Sequence, residues 1–310
     1  MNEKIDMRDV FFNSLYEIIS KDKNVIVLTA DHGAFGLDQI RKDFPKQYIN
    51  VGIAEQNMIS VAAGLALSGK IVYVYSIINF VTLRCLEQIN IDISSMNLHV
   101  NIIGVGAGFT YSTDGPTHHG VQDVAIMSCI PRMTIYNCSD ANSTKYFANI
   151  GYLLPGPKYF RIEKGTVPNL YNAEYNSYVN GLEKLRSGSI IIISSGLMVH
   201  KALEVSNVFL QNNIEIGVID LFRLKPINEE LLVESISGAK CLIILEDNMS
   251  TGGLGEKVTS ILYERNIFTT VSKLSIADAH SFIYSQDRSA VEAKFNLNVN
   301  SLVETVQKYL

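Results

Sequence analysis

Short apolar runs alternate along this chain with longer segments of helical periodicity, and this alternation constrains the fold more than any other feature. The runs that predict strands are NVIVLTA, KIVYVYS, LHVNIIGV, RMTIYNC, KYFRIE, SIIIISSG, IEIGVIDL, KCLIILED and TTVSKLSI. Most of them are apolar at nearly every position, so both faces of each strand should be covered. Covered strands that alternate with helices form a parallel sheet between helical layers, which predicts an α/β fold.

One stretch interrupts the alternation and predicts a domain boundary. Residues 171–188 follow neither a helical nor a strand period and contain several Asn, Tyr and Gly residues. A chain of 310 residues is also long for one hydrophobic core. We predict two domains, each a mostly parallel sheet covered by helices, over residues 1–170 and 189–310, with 171–188 as the linker.

Composition argues against several classes of partner. The net charge is −5 and no Lys/Arg-rich run occurs, so nucleic-acid binding is not expected. No apolar run approaches the roughly 18 residues of a membrane span, and MNEKIDMRD lacks the pattern of a signal peptide. The four cysteines have neither metal-site nor redox spacing. Free thiols of this kind are typical of a reducing compartment, so we expect a cytoplasmic protein.

Motifs of several familiar chemistries are incomplete. GVGAGF follows a strand but opens no amphipathic helix, as a dinucleotide site requires. TGGLGEK lacks the Lys-Ser/Thr end of a P-loop, and no serine lies in a nucleophile elbow. His118 and His119 are adjacent, and neighbours in an extended loop point apart, so no metal site is expected in this chain.

Two segments remain, GIAEQNM and STDGPTHHGVQDVAIMSCIP, and through them the chain resembles a known family. It is similar over nearly its whole length to the C-terminal half of a transketolase, which contains the pyrimidine-binding domain and the C-terminal domain. VIDLFRLKPIN and LEDNMSTGGLG are similar to two stretches of that C-terminal domain. GIAEQ alone is less specific, because deoxyxylulose-phosphate synthases and the beta subunits of 2-oxoacid dehydrogenases carry close variants.

The resemblance implies a catalytic role for Glu55, the acid in GIAEQNM. In the family this glutamate activates thiamine diphosphate, because a carboxyl group hydrogen-bonded to the pyrimidine ring favours the tautomer that deprotonates the thiazolium. Such a group must be buried, and burial disfavours the charged form. The alternative is a glutamate placed at a helix start because the helix dipole favours it there.

Two further residues match positions on the cofactor side. Phe80, in YSIINFVTLRCLEQ, matches an aromatic residue that stacks on the pyrimidine ring, and its alternative role is core packing. Asp31, in TADHG, matches a cofactor-side aspartate, and its alternative role is to cap a loop.

The substrate side is implied by another set of matches. Asp114 and His118, in DGPTHH, would contact sugar hydroxyls, and His118 would assist proton transfer. His118 could instead be a structural loop histidine. We also assign His32 to substrate binding. Arg161, in KYFRIE, matches a phosphate-contacting arginine, with an ion pair as its alternative.

The chain departs from the family at three positions near this site. His119 stands where a glutamine is more usual. Gly106, eight residues before Asp114, replaces a histidine that helps to hold the substrate phosphate. Phe35, four residues after Asp31, replaces a phosphate-binding serine. We therefore expect an atypical sugar, such as a nucleotide-linked or an unphosphorylated one.

The diphosphate-binding half of such an enzyme is not found in the sequence. That half carries a Gly-Asp-Gly motif that helps to hold a divalent metal, and no Gly-Asp-Gly occurs here. The resemblance therefore implies a split enzyme, in which an N-terminal subunit holds the diphosphate and Mg²⁺. The expected assembly is a two-plus-two heterotetramer that includes homodimer contacts.

The predicted function is transfer of a two-carbon ketol unit between sugars by thiamine diphosphate, with this chain as the C-terminal subunit. The enzymatic alternative is the beta subunit of a 2-oxoacid dehydrogenase or a deoxyxylulose-phosphate-synthase-like enzyme. DGPTHHG disfavours the dehydrogenase. The alternative of another class is a non-catalytic subunit that stabilises its partner, against which stands the presence of Glu55, Asp114 and His118 together.

Overall fold

A computed structural model describes residues 6–284 and 287–310 of the chain. These residues form two compact units. The first comprises the residues up to Ala107 together with Ile126–Glu174, and the second comprises Gly108–Ala125 together with Tyr175–Leu310. The short segment 108–125 thus packs with the C-terminal part of the chain, although it interrupts the N-terminal part in sequence.

The first unit is built on parallel strands. They are β1 (Val25–Thr29), β2 (Tyr48–Asn50), β3 (Ile71–Ile77), β4 (Val100–Val105), β5 (Thr134–Asn137) and β6 (Lys158–Ile162). Within this unit they lie in the order β5-β6-β4-β3-β1-β2, and every pairing between them is parallel. All residues of β1 and β4 are buried, as their continuous apolar sequences predict.

The first α-helices along the described chain are α1 (Met7–Ile19), α2 (Phe35–Asp43), α3 (Glu55–Leu67), α4 (Ile78–Val81), α5 (Leu86–Gln88), α6 (Asp123–Cys129) and α7 (Ala141–Leu153). Helix α6 contains the chain boundary between the two units. Asp6 caps α1 by accepting a hydrogen bond from the backbone N–H of Arg8. Asp140 caps α7 in a reciprocal capping box with Ser143.

The segment 81–94, VTLRCLEQINIDIS, is predicted as one helix between the strand runs KIVYVYS and LHVNIIGV, but the structure divides it. Helix α4 ends at Val81, α5 has three residues, and a π-helix follows over Ile89–Ser94. The Thr82 hydroxyl donates to the carbonyl of Ile78 at 2.6 Å, and the Cys85 thiol donates to that of Phe80 at 3.2 Å. Side chains that bond to backbone carbonyls in this way compete with regular helix geometry. The break matters because Phe80 lies just before it, in α4, and Arg84 lies in it.

The second unit contains β7 (Glu183–Arg186), β8 (Ile190–Ser194), β9 (Ile216–Asp220), β10 (Arg223–Lys225), β11 (Cys241–Met249) and β12 (Thr270–Ile276). Its sheet has the order β12-β11-β8-β9-β7. All its pairings are parallel except that of β7 with β9. The helices are α8 (Met198–Leu210), α9 (Glu229–Ser235), α10 (Leu254–Glu264), α11 (Arg288–Lys294) and α12 (Val299–Gln307).

The two sheets confirm the predicted fold class of two α/β domains with mostly parallel sheets. The stretch predicted as a linker, residues 171–188, contains a 3-10 helix (Ser177–Asn180) and strand β7. None of the helices in the described parts of the chain is long and apolar enough to cross a membrane.

Candidate functional site

Four of the predicted site residues of the first unit follow the carboxyl ends of its strands. Asp31 and His32 come after β1, Glu55 comes after β2, and Phe80 comes after β3. Strands β2, β1 and β3 are neighbours in the sheet. Parallel strands bring the loops at their carboxyl ends to one edge, which is where ligands bind in open α/β sheets.

Glu55 is a buried carboxylate at the start of a helix. It is the first residue of α3, which has no side-chain N-cap, and only 3% of its side chain is exposed. The helix dipole favours a negative charge at this position, so the structural role considered for Glu55 is compatible with its position. Burial of a carboxylate is nevertheless costly without a partner.

The partner of Glu55 is Arg84, which the sequence does not single out. Arg84 Nη1 donates a hydrogen bond of 2.7 Å to Glu55 Oε2. The same guanidinium lies over the ring of Phe80, with its Cζ atom 4.4 Å from the ring centroid. Glu55 and Phe80 are therefore brought together through one planar cation, which hydrogen-bonds to the acid and stacks on the aromatic ring.

The backbone around Phe80 is held by a thiol that does not ionise at neutral pH. Cys85 Sγ contacts the Phe80 carbonyl oxygen at 3.2 Å. Burial raises the pKa of the Cys85 thiol to about 12, and the negative charge of Glu55 adds to the shift. Because the thiolate is the reactive form of cysteine, Cys85 serves as a structural residue here.

The loop after β1 is tied to the loop after β2 by one amide side chain. Asn50 Oδ1 accepts hydrogen bonds from the backbone N–H groups of Asp31 at 3.0 Å and Gly52 at 2.9 Å. Its Nδ2 atom donates to Asp31 Oδ1 at 3.3 Å. Asp31 has a φ of 55°, a conformation that Asp tolerates better than most residues. Asp31 thus takes part in a loop cap, which was its alternative assignment.

His32 and Arg161 lie in different surroundings. The backbone of His32 exchanges hydrogen bonds with the Thr29 hydroxyl, and its ring lies edge-on to Tyr75 with centroids 6.2 Å apart. Arg161 lies in β6, which β3 and β4 separate from β1, and it is 1% exposed. Its burial means that a substrate phosphate could reach it only after neighbouring groups move.

In the second unit, the loop 108–125 carries Asp114 and His118. Asp114 is exposed and accepts a hydrogen bond from the Thr113 hydroxyl at 3.0 Å. His118 is half-buried, with its Nδ1 atom 2.9 Å from the Thr117 hydroxyl and its ring edge-on to Tyr111. The loop therefore presents a carboxylate and an oriented imidazole, the two groups that the sequence predicts for sugar binding.

His119 differs sharply from its neighbour. It is 2% exposed and lies edge-on to Phe109, with ring centroids 5.0 Å apart. Its Nε2 atom is buried and has no hydrogen-bond partner among the described residues. Burial lowers the pKa of His119, and the nearby His118 lowers it further, which favours the neutral form of the ring. An imidazole nitrogen that is buried without a partner is unusual, because it loses its bonds to water.

The loop is anchored by hydrogen bonds at both ends. The backbone N–H of Gly108 donates to the carbonyl of Gly120 at 2.8 Å, and the N–H of Met249 donates to that of Val121 at 2.8 Å. Asn248 Nδ2 donates to Asp123 Oδ1 at 3.0 Å. These bonds tie the loop to the end of β11 in the same unit.

Neither unit holds a ready-made metal centre in its described part. Within residues 6–284 and 287–310, no group of three or more His, Cys, Asp or Glu side chains is arranged to hold a metal ion.

Comparison with protein families identifies both parts of the chain. Residues 3–169 match the family described as the transketolase pyrimidine-binding domain, and residues 182–302 match the transketolase C-terminal domain. These matches confirm the resemblance that the sequence motifs indicate.

Individual relatives agree with the family matches. The chain is 31% identical over 269 residues to one subunit of the apulose-4-phosphate transketolase of Phocaeicola vulgatus, covering 86% of each chain. It is 29% identical over 307 residues to the 6-deoxy-6-sulfo-D-fructose transketolase subunit SqwH of a Clostridium species, covering 97% of this chain and 94% of the relative. A solved split-gene transketolase, described as an inactive beta4 tetramer, superimposes with a TM-score of 0.87 at 30% identity. The superposition covers 99% of this chain and 98% of that one.

Proposed function

Because the chain belongs to the transketolase family, we propose that it binds the pyrimidine end of thiamine diphosphate and serves ketol transfer as the C-terminal subunit of a split enzyme. Its homologues include subunits of split transketolases, and transferase activity of the transketolase type is a property of this family. We also propose the roles of individual residues, the metal ion, the partner subunit and the class of substrate.

The observation that carries the proposal is the pairing of Glu55 with a planar nitrogen-bearing group that stacks on Phe80. Glu55 already accepts an N–H donor at 2.7 Å, and Phe80 already has a planar group 4.4 Å from its ring centroid. An aminopyrimidine needs both features, a buried acid at its ring nitrogen and an aromatic face for stacking. The residues present therefore fit this end of the cofactor.

When bound, thiamine diphosphate supplies a nucleophilic carbon that accepts the ketol unit. Glu55 would hold a proton at the pyrimidine nitrogen, and its burial strengthens that interaction because water is excluded. Phe80 would orient the ring, and the bond from Cys85 to the Phe80 carbonyl restricts that segment. Asp31 would contact the cofactor from the loop after β1. Asn50 holds this loop in position, because its Oδ1 atom accepts a hydrogen bond from the Asp31 N–H.

The loop 108–125 is proposed to contact the sugar. Asp114 would accept hydrogen bonds from substrate hydroxyls, and His118 would donate to the substrate oxygen and move protons to and from it. The hydroxyl of Thr117, 2.9 Å from His118 Nδ1, would orient the imidazole for that task. His32 and Arg161 remain proposed substrate contacts, and the burial of Arg161 requires that its surroundings adjust.

The proposed substrate class is an atypical ketose. Relatives over most of the chain act, by their names, on apulose 4-phosphate and on 6-deoxy-6-sulfo-D-fructose. Phe35 is 85% exposed at the start of α2, so a large apolar side chain stands where the family has a phosphate-binding serine. This difference supports a substrate whose anionic or polar end is held differently from that of an ordinary sugar phosphate.

The proposed partner is an N-terminal subunit that holds the diphosphate and Mg²⁺. The two family matches account for pyrimidine-binding and C-terminal domains, and a Gly-Asp-Gly motif does not occur in the sequence. A heterotetramer with homodimer contacts is the proposed assembly. A cytoplasmic location is supported by the four cysteines, all of which are free thiols.

The proposal can be tested by reconstitution. The chain would be co-expressed with a subunit that carries the diphosphate-binding domain and assayed with thiamine diphosphate and Mg²⁺. A panel of phosphorylated, sulfonated, nucleotide-linked and unmodified ketoses would serve as donors of glycolaldehyde. We expect turnover only when both subunits are present. Robust turnover by this chain alone would contradict the split-enzyme proposal.

Assays of the same complex distinguish ketol transfer from the alternative functions. A deoxyxylulose-phosphate-synthase-like or 2-oxoacid dehydrogenase activity would release CO₂ from pyruvate or another 2-oxoacid, whereas ketol transfer releases none. A non-catalytic subunit would leave the activity of its partner unaffected by Glu55→Gln.

A further inference from the structure

We infer that Arg84 competes with the cofactor's aminopyrimidine: its guanidinium contacts both Glu55 and Phe80, and it must leave these contacts before the cofactor binds. This inference rests on the proposed roles of Glu55 and Phe80. It assigns to Arg84 a control over cofactor affinity that neither the family matches nor the relatives describe.

The contacts of Arg84 are the first argument. Its guanidinium makes, at the same time, the hydrogen bond to Glu55 Oε2 at 2.7 Å and the stacking contact with Phe80 at 4.4 Å. These are the two contacts proposed for the aminopyrimidine. A guanidinium is also a planar N–C–N unit with N–H donors along its edge, so it resembles that ring in shape and in hydrogen bonding.

Competition follows from the contacts that Arg84 makes. Only 3% of the Glu55 side chain is exposed, and a ring that bonded to Glu55 Oε2 and stacked on the face of Phe80 that Arg84 covers would occupy the space of the guanidinium. Without any partner the carboxylate would be a buried, uncompensated charge, which is strongly unfavourable. Arg84 therefore stabilises the buried carboxylate of Glu55.

Arg84 is also placed so that it can leave. Its side chain is 43% exposed, so its outward movement breaks no buried packing comparable with that around Glu55. It borders a surface cavity of about 570 Å³ that is also lined by Glu87 and Gln88. A guanidinium displaced into this cavity would be solvated and would lie near the carboxylate of Glu87, in the same unit of the chain.

The consequence is a measurable reduction of cofactor affinity. When a site is competent for only a fraction of the time, the apparent dissociation constant rises by the inverse of that fraction. If Arg84 occupied the site nine-tenths of the time, affinity would fall about tenfold. The departure of Arg84 from Glu55 and Phe80 would also limit the rate of cofactor binding, because it must come first.

The test is a titration of thiamine diphosphate into the complex of this chain with its diphosphate-binding partner, followed by calorimetry. We expect the Arg84→Met complex to bind thiamine diphosphate about three- to tenfold more tightly than the wild-type complex. If the Met variant folds poorly, Arg84→Gln should also raise the affinity for thiamine diphosphate. In stopped-flow experiments the observed binding rate should level off with cofactor concentration for wild type and rise linearly for Arg84→Met.

The matched control is Arg41→Met, which removes another guanidinium of the same unit that pairs with Asp38 and is 63% exposed. Its affinity should equal that of wild type. Equal or weaker binding by Arg84→Met and Arg84→Gln, with a wild-type complex that binds normally, would overturn the inference and leave the proposed function standing. A wild-type complex that fails to bind thiamine diphosphate at all would overturn both.

Discussion

Arg288 of α11 reaches Thr110 in the loop that carries Asp114 and His118, with its Nη1 atom 3.2 Å from the Thr110 hydroxyl oxygen. The same guanidinium pairs with Asp247 at 3.3 Å and with Glu292 at 2.8 Å. Both carboxylates are at least 95% buried. The position of the proposed sugar-binding loop thus depends on a buried charge network within the second unit.

Arg288→Met should therefore destabilise the protein and reduce ketol transfer. The substitution removes the cationic partner of the buried Asp247, whereas Glu292 keeps its ion pair with Lys201. Removing one partner of a buried ion pair typically costs about 3–5 kcal/mol. Denaturant unfolding measures this loss. The matched control is Arg265→Met, which removes exposed pairs with Glu229 and Glu230 in the same unit and should cost less than about 1 kcal/mol. Equal effects of the two substitutions would show that the Arg288 network contributes no special stability.

Glu55→Gln should nearly abolish turnover in the assembled enzyme and leave the fold intact. The amide cannot hold the proton that the proposed chemistry needs, whereas Arg84, being 43% exposed, can turn to water when its partner is neutral. Steady-state kinetics and thermal unfolding would be measured side by side, with the exposed Glu17→Gln as control. Retention of more than about a tenth of wild-type activity, a barrier change below about 1.4 kcal/mol, would contradict the catalytic assignment.

His118→Ala and Asp114→Ala should lower turnover or change substrate preference while leaving cofactor affinity unchanged. Both residues belong to the loop 108–125, and we propose that they contact the sugar rather than the cofactor. Kinetics with the best donor and calorimetric titration of thiamine diphosphate separate the two effects. His200→Ala, in α8 outside the loop, serves as the control. A large drop in cofactor affinity for either loop variant would place that residue in the cofactor site instead.

Lys158 should make stability depend on pH. Its side chain is buried at the start of β6, with Nζ donating to the Gly156 carbonyl at 2.8 Å. Burial lowers the pKa of Lys158 to about 7, whereas in the unfolded chain it is about 10.4. Between these values the unfolded chain binds more protons, so stability should rise with pH, by at most about 1.4 kcal/mol per pH unit from this group.

Urea unfolding at pH 7 and pH 9 checks whether the free energy of unfolding rises with pH. Lys158→Met should be more stable than wild type at pH 7 and should show a smaller rise towards pH 9. Lys145→Met, which alters an exposed lysine of α7, should keep the pH dependence of wild type. A Lys158→Met variant with an unchanged rise would contradict the assignment.

Much of the fold follows from local sequence. Runs such as NVIVLTA and SIIIISSG have four consecutive apolar residues at their centres, which predicts strands covered on both faces, and all residues of β1 and β8 are buried. The caps of α1 and α7 are equally local, because Asp6 and Asp140 each accept a hydrogen bond from a backbone N–H only a few positions away. The motifs GIAEQNM and DGPTHH together likewise indicate the family, and the matches over residues 3–169 and 182–302 agree with them.

The partners of the site residues depend on long-range packing. No local pattern indicates that Arg84 pairs with Glu55, because 29 positions separate them and a break between α4 and α5 sets the direction of the side chain. The burial of Arg161 and His119 is equally hidden, since both residue types are usually exposed or intermediate. The grouping of loop 108–125 with residues 175–310 arises from contacts with β11 and α11 far along the chain. Sequence periodicity reports which face of an element is apolar, whereas the partner of a charged group is set by which distant elements meet in the folded chain.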